Sequence, residues 1–413
     1  MKKSSLPRVV VWLGVVSLLT DVGTEMIYPL LPIFLSDVLH APRMFIGAVE
    51  GAAEATASLL KLVSGRLTDA MHRRKPLTVL GYGISSTVRP IVGLATHPWH
   101  VLATRVADRV GKGLRSSPRD ALLADAAPPE MRGRAYGFHQ AMDNAGAIVG
   151  PIAATVLLYF GIKLRSVLLL SAIPGALAMC ALLFGVRERG READAGAAAA
   201  AAKTKTKLAP MDPAAKASLQ KYLVAVVLFG LGNSSDAFLL LRAEQCGVAE
   251  KLLPMLWMVH NVAKALLSTW AGSLSDRVGR RVVIIAGWIL YALVYLAFGF
   301  ATHAWQIWAL FVGYGVYYAL VEGTQRALVA DLAPPSARGT AFGWYNAAIG
   351  LAALPASLGF GALADRYGAR LPFTVSAALA AAASLWLALV VHRPAASAAS
   401  SSSPPAAAPP AAR

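Results

Sequence analysis

Seven ionisable residues stand close together between positions 105 and 120: Arg105, Asp108, Arg109, Lys112, Arg115, Arg119 and Asp120. At about 100° per residue they fall within an arc of about 140°, so one face of one helix carries five cations and two carboxylates. Such a face can attract a substrate with anionic groups, or pair internally with acids on neighbouring helices that titrate in use. Candidate acids come in pairs four apart: Asp21 with Glu25, and Glu50 with Glu54; Asp143 follows His139 at the same spacing. A carboxylate beside an arginine binds a proton more or less readily according to what occupies the adjoining space, which is the physical requirement for coupling protons to another event. Asp21, Glu25, Glu54 and Asp143 are therefore the candidate proton carriers. Arg105 and Arg119, nearest the ends of the stripe, are expected to be solvated, with Arg109, Lys112 and Arg115 deeper. Arg89 is a lone cation that can extend the basic wall or pair with an acid. Later in the chain come Asp236, then His260 with Lys264, and Glu322 with Arg326, again four apart. Trp257, Tyr314, Tyr317, Tyr318, Trp344 and Tyr345 are candidates to line a pocket or to pack.

The elements that position these charges are apolar. The 413-residue chain is 56% hydrophobic and only 15% charged, too apolar for one or two soluble domains, so lipid bilayer is an expected partner. The formal charge of +17 gathers in short segments between apolar runs, the pattern that sets membrane orientation and not the footprint of a nucleic-acid binder. Cys180 and Cys246 imply neither a disulfide framework nor a thiolate metal site. Met255, Met258 and His260 do not share one helical face, and there is no G-x4-G-K-[ST] phosphate cradle. No metal, no cofactor and no enzyme activity is expected. Lys2, Lys3 and Arg8 precede the first apolar run without a small-residue cleavage site, which reads as a retained first helix.

A membrane span needs about 20 apolar residues, and twelve can be placed, near 9–36, 44–66, 76–97, 99–124, 133–161, 166–186, 221–241, 252–273, 282–303, 304–330, 337–361 and 370–392. The fold class is an all-α membrane protein. Cations such as Arg74, Lys75, Arg134, Arg277 and Arg281 fill alternate gaps and put both termini in the cytoplasm of an inner-membrane protein. Residues 1–186 form one six-helix bundle, 187–220 a cytoplasmic linker, 221–392 a second bundle and 393–413 a disordered tail rich in Ser, Pro and Ala. The two bundles are repeats. Residues 121–137 (ALLADAAPPEMRGRAYG) and 327–343 (ALVADLAPPSARGTAFG) share eleven of seventeen positions at an offset of 206. Parallel repeats of this kind build a central cavity between pseudo-symmetric halves.

The repeated loops resemble the signature of the major facilitator superfamily, and the resemblance covers residues 9 to 392. Gly272, Leu274, Asp276, Arg277, Gly279, Arg280 and Arg281 fit its loop between the second and third helices of a half. The first half keeps Gly65, Leu67, Asp69, Arg73 and Arg74 but has Ala70 and His72 where Arg and Gly are usual. Of these, Gly65, Asp69, Arg73, Gly272, Asp276, Arg277, Gly279 and Arg280 are expected to act as conformational latches. Gly137, Gly146, Gly150 and Pro151, spaced G-x8-G-x3-G-P, are similar to the fifth-helix packing motif of members that export substrate against a counter-ion. The resemblance implies two pseudo-symmetric six-helix bundles and a monomeric secondary active transporter, exporting a small-molecule substrate in exchange for protons by alternating access. Import of an organic anion, suggested by the basic stripe, and a non-transporting sensor or scaffold are the alternatives.

Overall fold

The computed structural model of the chain describes residues 6–70, 74–128, 131–186, 213–334 and 337–390, with the side chains of 61–63, 65–70 and 132 outside that description. Among the described residues there is no strand, and twelve helical spans follow one another. They are α1 Arg8–Val38, α2 Arg43–Ala70, α3 Lys75–Ile91, α4 Pro98–Ala126, α5 Arg132–Tyr159 and α6 Leu164–Gly185, then α7 Pro213–Gln245, α8 Leu253–Val278, α9 Arg280–Phe300, α10 Ala304–Leu332, α11 Arg338–Tyr367 and α12 Arg370–Val390. Helix α7 starts at Pro213, inside the segment 187–220 expected to be linker. Positions 187–212 and 393–413 lie outside the described residues.

Eight of the twelve are long and apolar enough to cross a membrane by themselves. The other four are α2, α3, α4 and α8. Helix α3 has only 17 residues, and the rest are interrupted by polar and charged groups such as Glu50, Glu54, Arg105, Asp108, His260 and Lys264. Helices that carry charge through a bilayer must turn it toward other protein. These four do so. Glu50, Arg89, Arg105, Asp108, Arg109, Arg115 and His260 are all buried.

Within the first half, α1 packs on α5 and α6, α4 on α2 and α3, and α3 on α6. Adding six to each label gives α7 on α11 and α12, α10 on α8 and α9, and α9 on α12, which are the pairs observed in the second half. The repeat in the sequence is thus a repeat in packing. The halves meet through α2 against α11 and α5 against α8, two contacts that the same exchange converts into each other.

The end where α1 begins and α12 finishes is the terminal side, and the other the far side. Near the far side the halves approach backbone to backbone. A Cβ on Gly51 would lie 2.8 Å from Leu354 Cα, and one on Gly361 2.6 Å from Met44 Cα. There the Asp365 carboxylate accepts from the Arg43 and Met44 amides, at 3.0 and 2.9 Å. A side chain of one half therefore caps the N-terminus of a helix in the other, satisfying amides that have no intrahelical acceptor. Arg43 Nη1 adds a bond to the Ala364 carbonyl at 2.9 Å.

Two helices break at equivalent places. In α1 the α-helix stops at Ile27 and gives way to a 3-10 turn, Tyr28–Leu30, because Pro29 and Pro32 have no amide hydrogen to donate. In α7 helix stops at Gly232 and resumes at Ala237. The intervening Asn233, Ser234, Ser235 and Asp236 compete for backbone hydrogen bonds with their own side chains. Ser235 Oγ does so, accepting from the Ala237 amide at 3.2 Å. Hydroxyls replace the lost ladder, as a low-dielectric interior requires. Tyr291 donates to the Gly232 carbonyl at 2.9 Å, and the Ser235 amide donates to Ser357 Oγ at 3.2 Å.

Candidate functional site

Broken helices at matching positions of two halves point to the binding site, because freed backbone and short polar side chains are tolerated at membrane depth only beside a cavity. A cavity of about 260 Å³ lies between the halves at these breaks. Its walls are Tyr28 of α1, Glu50 and Glu54 of α2, Asn233 to Asp236 of α7, Tyr318 of α10 and the α11 side chains Ile349, Ala353 and Ser357. An aromatic stack backs it. Tyr28 meets Trp257 at 5.0 Å between centroids, Trp257 stacks on His260 at 4.9 Å, and His260 touches Tyr314 and Tyr318. The Tyr314 hydroxyl donates to Asp236. Of the other aromatic candidates, Tyr317 packs on Tyr291, Tyr345 donates to Gln325, and Trp344 is 62% exposed.

The charged stripe of α4 is one face, but much of it is spent on pairing. Arg105 binds Glu50 through Nε and Nη2 at 2.8 to 3.1 Å, and it is 4% exposed where a solvated end residue was expected. The sequence of α4 cannot reveal that neutralisation, since Glu50 comes from α2. Arg89 pairs with Asp108 at 2.9 Å and donates to the Thr20 carbonyl. Arg115 donates to Ser85 and lies 4.6 Å over the Tyr82 ring. Arg119 pairs with its neighbour Asp120 at 2.8 Å. Lys112 is exposed in contrast to its expected depth, whereas Arg109 is buried with its Nε making no hydrogen bond among the described residues. In the second half Lys264 pairs with Glu322 at 2.6 Å, and Arg326 reaches the same carboxylate at 3.5 Å.

The acids of α1 sit where helices and halves meet. Glu25 Oε2 accepts from Trp257 Nε1 of α8 at 2.6 Å, across the two halves. Asp21 and Glu25 face α5, whose glycines let the backbones close: a Cβ on Gly146 would lie 2.7 Å from the Leu18 carbonyl, and one on Gly150 2.7 Å from that of Val22. Gly137 differs, with nothing within 4 Å of such a Cβ among the described residues, so close packing does not require glycine there. Pro151 continues inside α5. Asp143 accepts from Ser17 of α1 and lies 3.5 Å from His139 Nδ1.

The sequence pattern of the Major Facilitator Superfamily matches residues 13–259 and 222–412. The chain belongs to that superfamily. It is a multi-pass membrane transporter and not an enzyme. An MFS-type transporter of Methanocaldococcus jannaschii is 32% identical over 360 residues, which are 86% of this chain and 87% of that one. The multidrug resistance protein MdtH of Salmonella newport is 23% identical over 84% of this chain and 85% of its own length. Among solved structures, a POT family transporter in complex with 5-aminolevulinic acid superposes with a TM-score of 0.75 at 12% identity, covering 92% of this chain and 95% of that one. The human organic anion transporter MFSD10 gives 0.63 at 17%, covering 92% and 99%. These two share the fold.

Arg280 bridges Asp276 and Asp331, each at 2.8 Å, and donates to Ser275 Oγ at 3.0 Å. Gly279 carries φ +98° at the turn, a conformation that favours glycine. Arg277 lies in the last turn of α8, and Gly272 has open space around it among the described residues. Arg73 lies outside the described residues, as do the surroundings of Gly65 and the side chain of Asp69, but Arg74 pairs with Asp125. Residues 74 and 125 are 206 positions before 280 and 331, so both halves hold the same ion pair. Neither aspartate was singled out from sequence, although both stand in the repeated ALxADxAPP segment.

Proposed function

We propose that this transporter exports a small organic compound in exchange for protons, working by alternating access as a monomer in the inner membrane with both termini cytoplasmic. One observation carries the coupling: Glu25 of the first half is hydrogen-bonded to Trp257 of the second. A carboxylate held across the halves gains and loses a partner whenever they rock, so its charge and the conformation are linked. Asp21, one turn earlier on the α5 interface, and Asp143 with Ser17 and His139 supply neighbouring acceptors along α1 and α5. Glu54 brings a carboxylate to the cavity itself. Arg280 with Asp276 and Asp331, and Arg74 with Asp125, act as latches that tie helix ends within each half. The glycine motif of α5 and the likeness to MdtH favour export.

A second reading, import of an organic anion together with protons, draws on buried Arg109, whose Nε has no hydrogen-bond partner among the described residues. Expression in a drug-sensitive bacterial host, a resistance screen and reconstitution of the purified chain with the best compound separate the two. Movement of compound opposite to the proton gradient supports export by exchange. Accumulation with inward protons supports import.

A further inference from the structure

The wall of the cavity is of one electrostatic kind. Glu50, Glu54 and Asp236 are carboxylates, and no lysine, arginine or histidine is among the lining residues. Arg105 neutralises Glu50. Asp236 accepts from the Tyr314 hydroxyl and, among the described residues, has no ion pair. Two further lining residues keep unpartnered polar atoms beside this wall: Asn233 Oδ1, an acceptor, and Ser234 Oγ, which can accept or donate, are buried without a hydrogen-bond partner among the described residues, and Ser234 is 4% exposed. A buried polar atom with no partner is costly, so the Asn233 carbonyl favours a ligand with N–H donors, and the Asp236 carboxylate without an ion pair favours one with positive charge. The break in α7 is what puts Asn233, Ser234 and Asp236 on one cavity wall.

Size separates an organic ligand from a bare ion. The cavity has room for on the order of nine water-sized groups at roughly 30 Å³ each. Among the described residues no group of three or more His, Cys, Asp or Glu side chains could hold a metal ion. The lining also includes apolar Ile349 and Ala353 of α11. Tyr28 and Tyr318 already hold Arg105 and Lys264 at 5.6 and 5.3 Å from their ring centroids, so selectivity rests on the acceptors more than on ring faces.

We propose that this cavity binds a small organic cation, a protonated amine on a compact apolar body, with Asp236, Asn233 and Ser234 receiving the ammonium and Ile349 and Ala353 receiving the body. Transport of that cation rests on the exchange reading above; its binding does not. The test uses the purified full chain in detergent and follows its unfolding temperature with rising phenethylamine, 2-phenylethanol, phenylacetate or sodium chloride at constant ionic strength. Phenethylamine raises it saturably and the other three do not. Asp236→Asn weakens the apparent affinity by at least about tenfold, because a charge-assisted hydrogen bond is lost. Ile349→Trp fills the cavity without altering charge and removes the effect, which keeps the test decisive if Asp236→Asn fails to fold. Stabilisation by phenylacetate or 2-phenylethanol at least equal to that by the amine, stabilisation by sodium alone, or no response to any of the four overturns the proposal. Amine binding without proton exchange in vesicles sinks the coupling reading and leaves this one standing.

Discussion

Asp365→Ala removes the two hydrogen bonds by which the second half caps α2, at 3.0 and 2.9 Å, and leaves the Arg43 and Met44 amides to water. An N-cap contributes typically about 1 kcal/mol, and a carboxylate at a helix N-terminus adds roughly 0.3–1 kcal/mol at an exposed position. Asp365 is exposed, so a total of about 1–2 kcal/mol is the reasonable range. Opening the far side separates the partners in any case, so the whole of this falls on the sealed state and shifts its ratio to the opened state by about 5–30-fold. From an opened share of about one in a hundred, the variant reaches about one in twenty to one in four. Spin labels at Thr96 and Thr302, exposed in the far-side turns before α4 and α10, read this as a longer component in the distance distribution, after Cys180 and Cys246 are replaced by alanine. Asp365→Asn keeps an acceptor and shifts less. A distribution for Asp365→Ala that matches the parent refutes the assignment of the cap as a seal.

Glu50→Gln leaves Arg105 buried without its counter-charge and should destabilise the protein by about 3–5 kcal/mol, read as a large fall in unfolding temperature. Gly150→Leu drives α1 from α5 and costs about 1–3 kcal/mol, whereas Gly137→Ala, inside a helix with space for the methyl, causes no loss and adds up to about 0.5–1 kcal/mol in the same heating assay. Arg280→Lys cannot hold Asp276 and Asp331 through a planar fork; it should slow transport severalfold at unchanged folded yield, and a rate equal to the parent's argues against a latch.

Much of the architecture is legible in the sequence, because repeats and apolar runs are local signals. Residues 121–137 and 327–343 announce the two halves, and the main helix pairs of the first half recur in the second. The shared face of Arg105, Asp108, Arg109, Lys112, Arg115, Arg119 and Asp120 follows from helical geometry alone. What that face does is not local. Its net charge depends on Glu50, and the supposedly solvated Arg105 is the most fully neutralised member of the stripe. Hydropathy runs straight through residues 221–241 and hides the break at Asn233 to Asp236, whose signal is four helix-poor polar residues after Gly230 and Gly232. The cavity that follows from it is acidic, opposite in sign to the stripe that dominates the sequence.

The most direct test of the exchange mechanism is proton movement in proteoliposomes loaded with the best compound from the resistance screen, followed with a pH-sensitive dye in the lumen. Compound leaving down its gradient should draw protons in and acidify the lumen. Glu25→Gln, which removes the charge that meets Trp257, should let compound bind while uncoupling or abolishing that acidification. A lumen whose pH does not follow the compound, or a Glu25→Gln protein that exchanges protons as the parent does, contradicts the account.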